Sequence, residues 1–136
     1  MGLFTKAESL LPSLPTDIQS EATALFALAK SDFPTAVQKY TSLLDSHPHH
    51  LAYSNNLALT HLYMANGQAG IATLEPNLCE PGHKVGVLPH SVYNLCTMYE
   101  IRDDKARSRK EGVMETIVGR YGDVCGKAHF KLDSLR

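Results

Sequence analysis

The sequence predicts an all-α fold, a right-handed superhelix of about three helical hairpins closed by a C-terminal capping helix. Three observations point there. Apolar residues recur every three or four positions in one window after another along the chain. Proline, glycine and asparagine interrupt those windows at near-even intervals, as helix ends require. No stretch shows the strict apolar–polar alternation of a half-buried strand.

The elements follow in order. Residues 1–15, with Leu3-Phe4 and the run from Leu10 to Pro15, are too short for a domain. They read as a lead-in segment, either a docking strap or the remnant of a preceding repeat, ahead of one repeat domain over 16–136. Thr16 reads as an N-cap with Gln19 three residues on, a reciprocal capping box. Ile18, Ala22, Leu25, Phe26 and Ala29 then mark a helix over about 17–31. Pro34 restarts the helix where its missing N–H is not needed, and Ala36, Val37, Tyr40, Leu43 and Leu44 form one stripe until His47-Pro48. A second hairpin opens near His50 with Leu51, Leu57, Ala58, Leu62 and Tyr63, and turns at Ala65-Asn66-Gly67. It returns through a weaker helix with Ile71, Leu74 and Leu78. Glu75-Pro76 is expected to strain that helix or end it early, because proline lacks an N–H and its ring collides with the carbonyl four residues back.

Residues 79–88, CEPGHKVGVL, read as a loop. Pro89 opens a fifth helix reaching Ile101, and Asp103-Asp104 leads into a sixth over roughly 105–120 with Val113, Met114, Ile117 and Val118. Tyr121-Gly122 closes it, and Asp123 is expected to cap a last helix with Val124, Ala128 and Leu132 at spacings of four.

Paired helices of this length fit the tetratricopeptide unit of about 34 residues: a small residue on the first helix, a small and then a bulky residue on the second, and a proline at the exit. In the first hairpin Ala24 takes the small first-helix place, Ala36 and Tyr40 the second-helix pair, and Pro48 the exit. In the second, Leu57-Ala58 begin the pattern, and Gly70 and Leu74 fall one period after Ala36 and Tyr40. In the third, Leu95-Cys96 followed by Tyr99 repeats the first-helix signature after extra residues around Gly86. The physical demand is close approach: crossing helices need little side chain at the contact and a large one beside it to fill the groove.

Composition narrows the function. A net charge of −1 and a pI near 6.6, with no basic run longer than Arg107-Ser108-Arg109-Lys110, supply no field for a phosphate backbone, so nucleic acid is excluded as a partner. Three cysteines without a scaffold's spacing read as reduced thiols in a cytosolic setting. No apolar run approaches the ~20 residues that span a bilayer. Met1-Gly2 would invite myristoylation, but position 6 is Lys6 rather than Ser or Thr.

Four features are candidate sites. Cys96 could be a nucleophile, but activation needs a nearby cation or base and a cleft, and a small residue is what the helix crossing demands. His47, His49 and His50, with His61 and the Cys79-x-x-x-His83 half-site, supply metal-ligating types without converging spacing, so they read as a turn between hairpins and no cofactor is assigned. Counting from the repeat register, Leu25, Asn55, Asn56, Leu59, Tyr63, Tyr93 and Thr97 fall on the concave face, where a set of apolar and aromatic groups suits a protein partner. The alternative is a co-chaperone clamp for a peptide C-terminus. Asn55 and Asn56 suit it, but Glu21 in the first repeat, and His90 and Tyr93 in the third, meet a carboxylate with the wrong chemistry.

The strings Asn55-Asn56-Leu57-Ala58-Leu59, Leu62-Tyr63, Leu74-Glu75, His90-Ser91-Val92 and above all Asn94-Leu95-Cys96-Thr97-Met98-Tyr99-Glu100, with Gly122-Asp123 later, resemble the C-terminal tetratricopeptide region of the subunit 12 family of the trafficking protein particle (TRAPP) complex. The likeness is close over residues 51–136 and rests on the generic repeat pattern before that. It implies a non-enzymatic, cytoplasmic subunit of a vesicle-tethering assembly peripheral to the ER–Golgi intermediate compartment and Golgi. It also implies other TRAPP subunits, subunit 11 among them, as partners. The assembly's nucleotide exchange on a Rab GTPase would reside elsewhere, and a mitotic chromosome-attachment role is also associated with that family. On this resemblance the chain is the C-terminal piece of a longer protein.

Overall fold

The computed structural model describes residues 2–80, 89–102, 104–122 and 125–131. Among the described residues seven α-helices follow one another: α1 (Leu3–Leu10), α2 (Thr16–Ala29), α3 (Phe33–Ser46), α4 (Leu51–Tyr63), α5 (Gly67–Cys79), α6 (Pro89–Arg102) and α7 (Ala106–Tyr121). Short 3-10 turns occupy Leu11–Ser13 and Lys127–Phe130. No strand occurs among the described residues.

From α2 to α7 each helix packs on the next, and α4 also meets α6 and α5 meets α7. The turns that make this possible repeat in detail. After α2, Ser31 is left-handed (φ 61°), and Asp32 N–H donates to the Ala27 carbonyl at 2.9 Å. After α4, Ala65 is left-handed (φ 58°), and Asn66 N–H donates to the His61 carbonyl at 2.8 Å. Both are Schellman closures, here built on non-glycine residues. The residue that closes one helix also starts the next: Asp32 Oδ1 accepts from Thr35 N–H and Asn66 Oδ1 from Ala69 N–H.

Several sequence expectations need correction. The helix expected over 17–31 ends at Ala29, and Pro15 rather than Thr16 occupies its N-cap with no side-chain cap bond, so the Thr16/Gln19 capping box does not form. Gln19 N–H instead donates to the Pro15 carbonyl at 2.8 Å. Pro76 does not end α5, which continues through it to Cys79. Three contacts hold that last turn: Leu78 is buried, the Asn77 amide donates to the Thr73 carbonyl at 3.1 Å, and Arg120 of α7 donates to the Glu80 carbonyl at 2.8 Å. Tertiary anchoring outweighs the lost N–H. The expected final helix is, among described residues, the 3-10 turn Lys127–Phe130, which buries Phe130, while Cys125 is buried just before it. Asp123, Val124 and Leu132 lie outside the described residues, as does 81–88, most of the expected loop.

The lead-in segment is helical. α1 buries none of its residues, but Phe4 meets Phe26 edge-on with ring centroids 6.2 Å apart, Glu8 pairs with Lys30, and the following 3-10 turn packs on α2.

Among the described residues, buried apolar side chains form two clusters. One joins Ala24, Ala27, Ala36, Tyr40 and Leu43 of α2 and α3 to Tyr53 and Leu57 of α4. The other runs from Leu51 and Ala58 through α5, α6 and α7 to Phe130. The tightest crossing lies in the second. A Cβ on Gly70 would stand 2.9 Å from the Ala58 carbonyl oxygen and 3.1 Å from Met98 Sδ, so α4, α5 and α6 converge where only glycine fits. Ala24, Ala36, Tyr40, Leu57, Ala58, Leu74, Leu95, Cys96 and Tyr99 are buried too, whereas Pro48 lies exposed in the turn after α3.

Candidate functional site

The repeat count placed seven residues on one face of α2, α4 and α6, and the structure treats them unequally. Leu25 and Tyr93 are each 45% exposed and Tyr63 is 64% exposed; Leu59, Asn56 and Thr97 are half-buried. Asn55 is 4% exposed and presents almost nothing to solvent.

The asparagines are engaged inside the fold. Asn94 of α6 donates to Asn55 Oδ1 at 2.9 Å, Asn55 donates to Asn56 Oδ1 at 3.4 Å, and Asn56 donates to the Tyr40 hydroxyl at 3.1 Å. This ladder crosses from α6 through α4 to α3. It satisfies amides whose burial would otherwise cost free energy. A parallel tie runs from the Tyr53 hydroxyl of α4 to Glu21 Oε2 of α2 at 3.3 Å. Glu21, Asn55 and Asn56, the positions a carboxylate clamp would use, are thus partnered within the protein.

Tyr63 stacks on Phe33 with centroids 5.6 Å apart, linking the end of α4 to the start of α3. Ile101, in the corresponding place on α6, is 66% exposed. The sequence reading missed it, although counting 38 residues from Tyr63, the offset from Ala58 to Cys96, reaches it. Leu25, Tyr63, Tyr93 and Ile101 are thus the large apolar residues at these register positions that stay exposed.

Cys96 is fully buried and its thiol is pushed up to about 12, first by burial and then against the partial relief of Lys110. At neutral pH it is a protonated, apolar filler rather than a thiolate. Cys79 is likewise raised, to about 11, by burial and then by Glu75, and burial raises Cys125. Burial also raises Tyr99, followed by the Glu75 carboxylate, and the Ser91 hydroxyl has no hydrogen-bond partner among the described residues.

Among the described residues no group of three or more His, Cys, Asp or Glu side chains could hold a metal ion, and His83 lies outside them. His50 stacks on Tyr53 with centroids 3.7 Å apart and His47 meets the same ring edge-on at 6.2 Å. These histidines pack against the first turn of α4, at the rim of a cleft of about 380 Å³ whose lining includes Asp17, Glu21, Lys39, His47 and Tyr53.

Two further functional-type residues escaped the sequence reading. Lys110 of α7 is fully buried, pairs with Glu100 of α6 and donates to the Lys131 carbonyl at 3.3 Å. Ala106, Lys110 and Val113 repeat the spacing of Ala36, Tyr40 and Leu43, which places a lysine where bulk is expected. Lys131 pairs with the other oxygen of Glu100. The two ion pairs hold the Glu100 carboxyl below its usual range although burial pushes the other way.

The chain matches no protein-family profile and no solved structure. It is 29% identical over 111 residues to trafficking protein particle complex subunit 12 of Homo sapiens and 28% identical over 111 residues to that of Mus musculus, 80% of this chain in each case. The match takes in 15% of the human and 14% of the mouse protein, so the chain spans a small part of the length of these curated relatives. Over four-fifths of its length the chain is thus related in sequence to trafficking protein particle complex subunit 12.

Proposed function

We propose that this chain is a non-catalytic scaffold region of a TRAPP vesicle-tethering subunit, a tetratricopeptide-type right-handed superhelix acting in ER-to-Golgi transport. Its mechanism is rigid display of a surface to other subunits. The observation that carries the reading is the similarity to subunit 12 over 80% of the chain. Two features support it. The Schellman turns and their caps recur at 34 residues around Ser31 and Ala65, as a stacked repeat requires. Leu25, Tyr63, Tyr93 and Ile101 leave apolar and aromatic surface uncovered, the material of a protein interface.

On this reading the chain works in the cytoplasm, on the surface of the ER–Golgi intermediate compartment and Golgi, and subunit 11 is among its neighbours. No helix of the described residues is long and apolar enough to cross a membrane, in keeping with attachment through other subunits. The test is co-purification of the tagged chain from cells. Other TRAPP subunits are expected with the native chain and a loss of at least tenfold with Leu25→Asp/Ile101→Asp at unchanged melting temperature. Retention by the double variant moves the interface elsewhere; recovery of heat-shock chaperones alone replaces the scaffold with the clamp.

A further inference from the structure

Lys131 is left-handed in its backbone (φ 52°), and its side chain lies across α6. Its ammonium stands 5.1 Å from the centre of the Tyr93 ring and 3.4 Å from Thr97 Oγ1, and pairs with Glu100. Tyr93, Thr97 and Glu100 are spaced four and three apart, so one stripe of one helix supplies an aromatic face, a hydroxyl and a carboxylate to a single cation. The carboxylate is fixed from behind. Its other oxygen is held by the fully buried Lys110, which also grips the Lys131 carbonyl.

Tyr93 and Thr97 are two of the residues of the docking face, and Tyr93 stays 45% exposed with Lys131 over it. Lys131 itself is confined, its side chain 19% exposed. The contact therefore shows what this part of the face recognises, and also that the place is taken. We propose that Tyr93, Thr97 and Glu100 form a cation-accepting subsite of the docking face, closed in cis by Lys131, and that a lysine or arginine side chain of a partner polypeptide enters by displacing it.

The chemistry selects such a partner. An acidic group meets the Glu100 carboxylate, and a neutral one forgoes both the ring and the ion pair, whereas ammonium or guanidinium satisfies all three groups at once. Lys131 competes as a tethered ligand at high effective concentration, so binding in trans is weakened until it leaves. The inference rests on the docking reading of this face, which the co-purification above tests separately.

The experiment uses the whole chain, with Nα-acetyl-argininamide as the probe and backbone NMR shifts of Tyr93, Thr97 and Glu100 as the readout. Lys131→Met keeps the stem and removes the charge; it is expected to lower the half-saturating concentration at least tenfold. Lys131→Arg restores native behaviour, adding Tyr93→Leu to Lys131→Met abolishes the shifts, and Nα-acetyl-glutaminamide produces none. Equal titration of Lys131→Met and the native chain, or shifts that survive Tyr93→Leu, overturns the subsite. A second readout leaves Lys131 in place: reductive methylation of its amine should quicken at least threefold in Tyr93→Leu, and an unchanged rate overturns the cis contact. A chain that titrates as expected but retains no TRAPP subunit keeps the subsite and loses the docking reading. One that retains subunits but fails to titrate loses the subsite alone.

Discussion

Around α2 and α3 the described core holds seven buried apolar residues, three of them alanine, while fifteen such residues fill the space from α4 to the last 3-10 turn. The first hairpin meets α4 through Tyr53 and Leu57 in its core, and the Tyr40–Asn56 and Tyr53–Glu21 hydrogen bonds add directional ties. The later helices interlock by volume, with Leu74, Leu95, Met98, Tyr99, Ile117 and Phe130 all nearly inaccessible. Small residues let helices approach closely but remove little apolar surface from water; large ones remove more and demand a tighter fit. The difference teaches that successive helical pairs of one chain can be held by small-residue packing with added polar bonds at one end and by packing of large side chains at the other.

The largest expected effect sharpens that contrast. Ile117→Ala, in the large cluster, should cost about 3 kcal/mol in denaturant unfolding, because a fully enclosed site cannot collapse onto the vacated space. Leu43→Ala, at the rim of the small cluster, should cost about 2 kcal/mol. Equal losses with a single unfolding transition would mean that the asparagine ladder fuses the two clusters into one cooperative unit.

Gly70→Ala comes next at about 2 kcal/mol, since its methyl meets the Ala58 backbone rather than a movable side chain. Gly112 on α7 has open space around the same position, and Gly112→Ala should stabilise by roughly 0.5–1 kcal/mol. Paired thermal melts check both signs, and a stabilised Gly70→Ala would refute the three-helix convergence.

Lys110→Ala should cost about 2 kcal/mol by leaving both a void and a loosened Glu100, whereas Lys110→Met, apolar and similar in length, should stay within about 1 kcal/mol of the native chain. A costly Lys110→Met would show that the ion pair, not volume, holds α7 to α6. The smallest effect is with acid. The Glu100 carboxyl is held below its ordinary value of 4.5, so the folded chain binds fewer protons than the unfolded one. That contribution is complete above pH 4.5 and is lost as pH falls further. Below pH 4.5 Glu100→Gln should lose stability less steeply than the native chain, as pH-dependent melting would report.

Much of this was legible in the sequence because it is local. Helical spacing, Gly67 after Ala65-Asn66, and Gly122 at the end of α7 concern neighbours within a few residues, and the helices appear close to where those signals put them. The failures share a cause. Local chemistry alone predicts that Pro76 strains or ends α5, yet Arg120 from α7, forty residues beyond Glu80, donates to the Glu80 carbonyl and helps secure the turn the proline weakens. The capping box at Thr16 was plausible by composition and lost to the Pro15 carbonyl. Asn55 looked like surface because asparagine usually is, but Asn94 comes to meet it.

By itself the sequence determined an all-helical chain, its order of elements, the small residues at 24, 36, 58, 70 and 96, and a kinship with trafficking protein particle complex subunit 12. Only the tertiary structure decided which polar groups are spent internally, that a lysine completes the contact of α6 with α7, and that Lys131 lies over Tyr93. The physical reason is range. Helix formation is settled by bonds to residues three to five positions away, whereas the fate of a buried amide or charge is settled by whichever distant side chain folding brings within about 3 Å.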